Sequence, residues 1–281
     1  MPARRHAWGE AIAAPFTVVE PGTARRPIVV HIPHASTVIP SVIRAEILLD
    51  DAALAREIVR MTDWHVDALF SPLTNLGATA FVNQRSRLVF DPERFVDDAG
   101  EPAAAVGQGV IYTHTSDGLL LRSISQAERS HRIAEFYDPY HAALTELVAD
   151  TLGRFDRCLV LDCHSFPSVA LPTESGSSQE RPDICIGTDP FHTLPNLVTR
   201  LREVFVDEGF SVAIDSPFEG TLVPLAYYGR DRRVSSVMIE VRRDLYCDET
   251  TGEPSEAFAA TRERIARAVE LATVGPAVDF E

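Results

Sequence analysis

Three short apolar runs in this sequence each end in, or carry, a polar residue with the chemistry to bind a metal or move a proton. Pro27-Ile-Val-Val-His-Ile-Pro-His34 reads as a buried strand with His31 inside it and His34 just beyond its end. Cys158-Leu-Val-Leu-Asp-Cys163 reads the same way and carries Asp162, with His164 one residue past the strand. In Val237-Met-Ile-Glu-Val241 a glutamate, Glu240, interrupts an apolar run. A charge there must face a cleft or be paired, because burying it alone is costly. Two imidazoles at separate strand ends plus a carboxylate match an open zinc site, with one position left for water. The bland alternative is a pair of loop histidines with local hydrogen bonds.

The third metal ligand stays open on pattern alone. His31-x-x-His34 could bind from one loop, but along a strand these two residues point to opposite faces. Asp63 and His65, in Thr62-Asp-Trp-His65, are further candidates on an otherwise amphipathic helix, where a solvated or capping role is the simpler reading. Arginines supply a second theme. Arg85-Ser-Arg87 interrupts a strand pair, and Asp91-Pro-Glu-Arg94 follows at once. A planar guanidinium grips a carboxylate bidentately, so Arg87 or Arg94 at the mouth of a zinc cleft would select an anionic substrate. Asp91 and Arg94 could instead simply pair with each other.

The elements needed to position these groups are readable as a strand–helix alternation. Asp50 to Leu69 has apolar residues at 54, 58, 61, 66 and 69, with Asp50 and Asp51 placed to cap a helix. Strands are expected at Ala78 to Gln84, Leu88 to Phe90, Ile184 to Gly187, Phe210 to Ile214 and Ser236 to Val241. Helices are expected at Ser125 to Phe155, broken or kinked at Pro139, at Leu194 to Gly209, and at Ser255 to Thr273 with Ser255 as N-cap. Residues 96–123 and 173–182 read as irregular excursions. The alternation implies an α/β fold: a largely parallel sheet covered by helices on both faces. Ligands in such sheets bind beyond the carboxyl ends of the strands, where His34 and His164 lie. With no repeat and no linker, residues 1–281 are expected to form a single domain.

Composition narrows the chemistry. The chain has 281 residues and a formal net charge of −15, which argues against a nucleic-acid partner. All 26 basic residues are arginine, so lysine-dependent chemistry is excluded: a P-loop, a Schiff base or a pyridoxal-phosphate anchor. A serine-hydrolase elbow, G-x-S-x-G, is missing. The four cysteines form no C-x-x-C pair, no run is long enough to span a membrane, and the opening MPARRHAWGEAIAAPF has no apolar stretch of signal-peptide length. A cytoplasmic protein without disulfides is therefore expected, of undetermined oligomeric state.

Taken in order, these blocks resemble the N-formylglutamate amidohydrolase family. The matching stretches are Ile32-Pro-His-Ala35, Thr62-Asp-Trp-His65, Ser86-Arg87 with Asp91 to Arg94, Pro139-Tyr-His141 and Leu161-Asp-Cys-His-Ser165, then Pro182-Asp183, Gly187-Thr188, Phe218 to Gly220 and Glu240. They span residues 28 to 250. The resemblance implies a three-layer α/β/α fold around a mixed sheet, distantly zinc-carboxypeptidase-like. It also implies metal-dependent cleavage of the formyl amide of N-formylglutamate, late in histidine breakdown. On it, one divalent ion, zinc, is held by His34, Asp63 and His164, with Asp63 favoured over His31. Glu240 is the general base and Arg87 binds the anionic substrate, with Arg94 and His141 (beside Tyr140) lining the cleft. One departure stands out: the family reads Asp-Leu-Asn-Arg where this chain has Asp91-Pro-Glu-Arg94. Two rival functions follow: a metallopeptidase or deacylase for another N-acyl amino acid or small peptide, and a non-catalytic carboxylate-binding protein.

Overall fold

In the computed structural model, which describes residues 15–174 and 181–273, seven strands pair into one mixed sheet. They are β1 (Phe16–Val19), β2 (Ile28–Ile32), β3 (Thr79–Asn83), β4 (Cys158–Phe166), β5 (Ile184–Gly187), β6 (Val212–Ile214) and β7 (Val234–Arg242). Their order is β1-β3-β2-β4-β7-β5-β6. The centre, β3-β2-β4-β7, is parallel, while β1 on β3 and β5 on β7 are antiparallel. The helices are α1 (Ser41–Arg44), α2 (Asp51–Met61), α3 (Val66–Phe70), α4 (Gln126–Arg132), α5 (Asp138–Phe155), α6 (Pro195–Asp207) and α7 (Phe258–Thr273).

Strand periodicity sorts side chains between two cores. Ile28, Val30 and Ile32 of β2, Leu159, Leu161 and Cys163 of β4, and Val237, Ile239 and Val241 of β7 pack against α3, α6 and α7. Val29, Phe81 and Val160 belong to the opposite core, with residues of α2 and α5. The result is a three-layer α/β/α arrangement, as expected from the alternation. Because neighbours in a strand alternate faces, His31, Asp162, His164 and Glu240 all share the α2/α5 side. Strand register then puts His31 beside Asp162 and His164 beside Glu240.

Several expected boundaries move. The Asp50–Leu69 helix is two helices: Asp50 does cap α2, accepting from Ala53 N at 2.7 Å. The chain then leaves helical geometry at Thr62, and His65 takes a left-handed φ of 60° before α3 begins. Asp63 therefore sits in a break, not on a helix face. His164 lies inside β4, which runs three residues longer than expected. Leu88 to Phe90 is buried but is not a strand. There the Asn83 and Ser86 side chains accept from Arg85 N and Leu88 N, drawing the backbone away from ladder pairing. The long helix at 125–155 starts on a Ser125 capping box, passes through a π turn at Ile133–Tyr137, and restarts with Pro139 in the first turn of α5. Ser255 is not the cap of α7. It is held by Tyr246 O next to a bridge between Cys247 and Pro254, so the helix begins only at Phe258.

Candidate active site

His34 follows β2, and its carbonyl accepts from Asp63 N at 3.1 Å, which ties the break after α2 to the end of β2. This places the Asp63 carboxylate against His164 from β4. His164 Nδ1 lies 3.2 Å and His34 Nδ1 3.7 Å from the same oxygen, Asp63 Oδ2. A metal–ligand distance of about 2.1 Å separates tetrahedral ligand atoms by about 3.4 Å, so these spacings fit one small divalent ion. All three residues are buried, and His34 Nδ1 has no hydrogen-bond partner.

The far nitrogen of each imidazole is held by a carboxylate. His34 Nε2 lies 2.9 Å from Asp91 Oδ1, and His164 Nε2 lies 3.1 Å from Asp162 Oδ1. Such outer carboxylates fix ring orientation and strengthen imidazole as a ligand. They are themselves anchored. Asp91 accepts from Arg87 Nη2 at 2.8 Å, Tyr112 OH at 2.6 Å and Glu93 N at 3.0 Å. Asp162 bonds His31 Nδ1 at 2.8 Å and accepts from Leu222 N at 2.8 Å. His31 is engaged at both nitrogens, since Nε2 meets Tyr140 OH at 2.6 Å. It supports Asp162 and does not converge on Asp63. His31, Glu93 and Asp162 form a second, adjoining group with metal-ligand potential. His65 faces away and bonds Gly252 O.

The electrostatics call for positive charge. Burial alone would raise the Asp63 carboxyl, but the hydrogen bond with His164 and the nearby His34 ring outweigh it and hold it far below the usual range. Burial opposes protonation of His164, yet Glu93, Asp162 and Asp63 push its pKa well up. His34 is likewise raised, against burial and the Arg87 charge, by Asp91 and Asp63. The negative charge that raises both imidazoles is the charge a divalent cation would offset in their place.

Glu240 stands beside this group. Burial, against the opposing His164 charge and with help from Asp63 and Glu93, pushes its pKa up to about 8. Its Oε2 is buried without a partner. These groups open onto a cavity of about 950 Å³ that Arg87, Arg94 and His141 also line. Arg87 is largely committed: Nε reaches Tyr112 OH at 3.1 Å and Nη2 holds Asp91. Arg94 sits 3.8 Å from Asp91, so the expected pair is a loose one, and a quarter of its side chain is exposed. His141 donates from Nε2 to Pro92 O, and burial lowers its pKa to about 4, so it is neutral at working pH. Tyr140 is fully buried behind His31 and does not line the cavity. Glu93 reaches His164 Nε2 at 3.1 Å, which puts a carboxylate in the centre of the site.

Sequence reasoning missed the hub role of Asp91, with Tyr112 and Arg87 around it, and the Arg243 guanidinium 3.6 Å from Asp63. The signal for Asp91 was the dense charge pattern from 85 to 94. For Arg243, three residues past Glu240, there was none beyond its position.

A family model of N-formylglutamate amidohydrolases matches residues 26–247, nearly the whole described chain. The chain belongs to that family. The N-formylglutamate deformylase of Pseudomonas aeruginosa is 29% identical over 232 residues, covering 80% of this chain and 84% of that protein. The enzyme of the same name from Pseudomonas putida is 25% identical over 233 residues. Among N-formylglutamate amidohydrolases of known structure, the crystal structure from Ralstonia eutropha JMP134 superposes with a TM-score of 0.80 at 28% identity, covering 92% of this chain and 98% of that one. The matched stretch contains every residue of the site just described.

Proposed function

We propose that this chain is a zinc-dependent N-formylglutamate deformylase, which hydrolyses N-formylglutamate to glutamate and formate. The observation that carries this reading is the convergence of two buried imidazole Nδ1 atoms on Asp63 Oδ2, next to the unpartnered Glu240. His34, Asp63 and His164 would hold the ion. When bound, zinc supplies Lewis-acid activation of a water and of the amide carbonyl.

The chain's own groups do the rest. Arg94, with the remaining Nη1 of Arg87, grips a substrate carboxylate and sets the formyl group against Glu240. Glu240 accepts the proton as water adds to the formyl carbon, then returns it to the departing amine as the C–N bond breaks. Its high pKa in the metal-free site suits a group that must both take and give a proton. Asp91 and Asp162 keep the two imidazoles in one tautomer throughout. The four cysteines are buried and unpaired, and among the described residues no helix is long and apolar enough to cross a membrane. We take the protein to be a cytoplasmic, single-domain catabolic enzyme of histidine breakdown.

Glu93 favours one second reading: the same hydrolysis on a different N-acyl amino acid, because its carboxylate adds negative charge beside Arg94. Formate release from N-formyl-L-glutamate by protein of measured metal content tests the proposal. A panel of other N-formyl and N-acetyl amino acids run beside it decides between the two readings. Turnover that survives full removal of metal overturns the metal-dependent mechanism.

A further inference from the structure

One arginine that lines the cavity has no role in the chemistry above. The Arg181 side chain is only 7% exposed, and its guanidinium lies 5.0 Å from the ring centre of Phe166 and 5.5 Å from that of Phe218. Nη1 donates to Glu174 Oε2 at 2.7 Å, which fixes the rotation of the planar group. Its carbonyl accepts from Arg242 Nη1 at 2.7 Å, two residues beyond Glu240. Nε and Nη2 are buried and have no partner.

Those two N–H groups form one edge of the guanidinium, the edge that takes a carboxylate through two parallel hydrogen bonds. Leaving both unpaired away from water is costly, and because Arg181 lines the cavity a bound carboxylate would satisfy both. The cation lies over both rings, which hold it in place without using its donors. Phe166 lies two residues beyond His164 on β4, on the same face, about 6.6 Å along the strand. Arg181 and the three candidate metal ligands line the same cavity.

We infer that Arg181 is a second anion subsite, which binds the side-chain carboxylate of a dicarboxylic N-acyl amino acid while Arg94 binds the α-carboxylate. This rests on the amidohydrolase reading and narrows it to substrates with two carboxylates.

The test measures kcat/KM for N-formyl-L-glutamate and N-formyl-L-glutamine with the wild type, Arg181→Gln and Arg181→Lys. The wild type prefers the acid, and Arg181→Gln loses roughly 10- to 100-fold on the acid, the worth of a charge-assisted bond, while turnover of the amide holds. Arg181→Lys recovers part of the loss. An equal fall on both substrates, or a preference that survives in Arg181→Gln, overturns the subsite and leaves deformylase activity standing. If no N-formyl amino acid is turned over at all, the functional reading fails instead. Calorimetric binding of L-glutamate against L-glutamine to the wild type then decides on Arg181, as it does if Arg181→Gln fails to fold. Equal affinity for the two overturns the proposal.

Discussion

Replacing Glu240 by glutamine separates catalysis from stability, because the two should move in opposite directions. Glu240 is buried, its Oε2 has no partner, and its pKa is pushed up to about 8. In the unfolded chain an ordinary glutamate titrates near 4.3. Below that pH neither state is ionised and the residue has no effect. As pH rises toward 8, the unfolded chain releases the proton first, so the metal-free fold loses stability. At about 1.4 kcal/mol per pH unit, the gap caps the loss at about 5 kcal/mol, and the charges shared with His164 reduce it. Glutamine keeps the shape and removes the titration. Urea unfolding of chelator-treated protein should therefore show Glu240→Gln converging on wild type as pH falls below about 4 and more stable by a few kcal/mol at about pH 9. Its kcat on N-formylglutamate should fall by roughly 10² to 10⁴, with metal content unchanged. Equal pH–stability curves for the two proteins would refute the burial argument. Loss of metal in the variant would make Glu240 a ligand, and near-normal turnover would reduce it to a structural charge.

Three further outcomes follow from the site. His164→Ala should strip most of the divalent metal from the purified protein, measured by elemental analysis, since one of three ligands is gone; full retention in both His164→Ala and His34→Ala removes the assignment. Asp91→Asn should weaken metal affinity by about 10- to 100-fold in a chelator competition, because it loosens the Nε2 support of His34 without removing a ligand; unchanged affinity means the Asp91 hub is only structural. Arg94→Gln should raise KM for N-formylglutamate more than for its α-carboxamide, and an equal effect on the two shows that Arg94 does not grip the α-carboxylate.

The strand-borne groups were legible because a polar residue in an apolar run contradicts its surroundings. That contradiction marks Glu240 from sequence alone, and the position just past an apolar run marks His34 and His164. Asp63 was not legible in this way. Apolar spacing continues through Leu54, Ile58, Met61, Val66 and Leu69, and nothing in it announces the left-handed residue at His65 that ends one helix and starts another. Only the family resemblance favoured it. The edge strand β1 was missed because it is four residues long and mostly exposed, with too short a pattern to read. Arg181 was invisible for a different reason. Its environment comes from Phe166 and Phe218, one 15 residues before it and one 37 after, and no local period links them.

The candidate ligands stand at positions 34, 63 and 164, with the base at 240. No two of them share a hairpin or a helical turn. Their meeting depends on β2, β4 and β7 lying side by side in register, a set of contacts between distant parts of the chain that forms late in folding. An ion therefore has no local fragment to capture in the nascent or unfolded chain. At the proposed site it would act as a final cross-link among three remote segments, closing loops of 29 and 101 residues (63 less 34, and 164 less 63) once the sheet has assembled. Metal uptake would then be a clock for completed folding, and should lag the appearance of secondary structure in a refolding experiment.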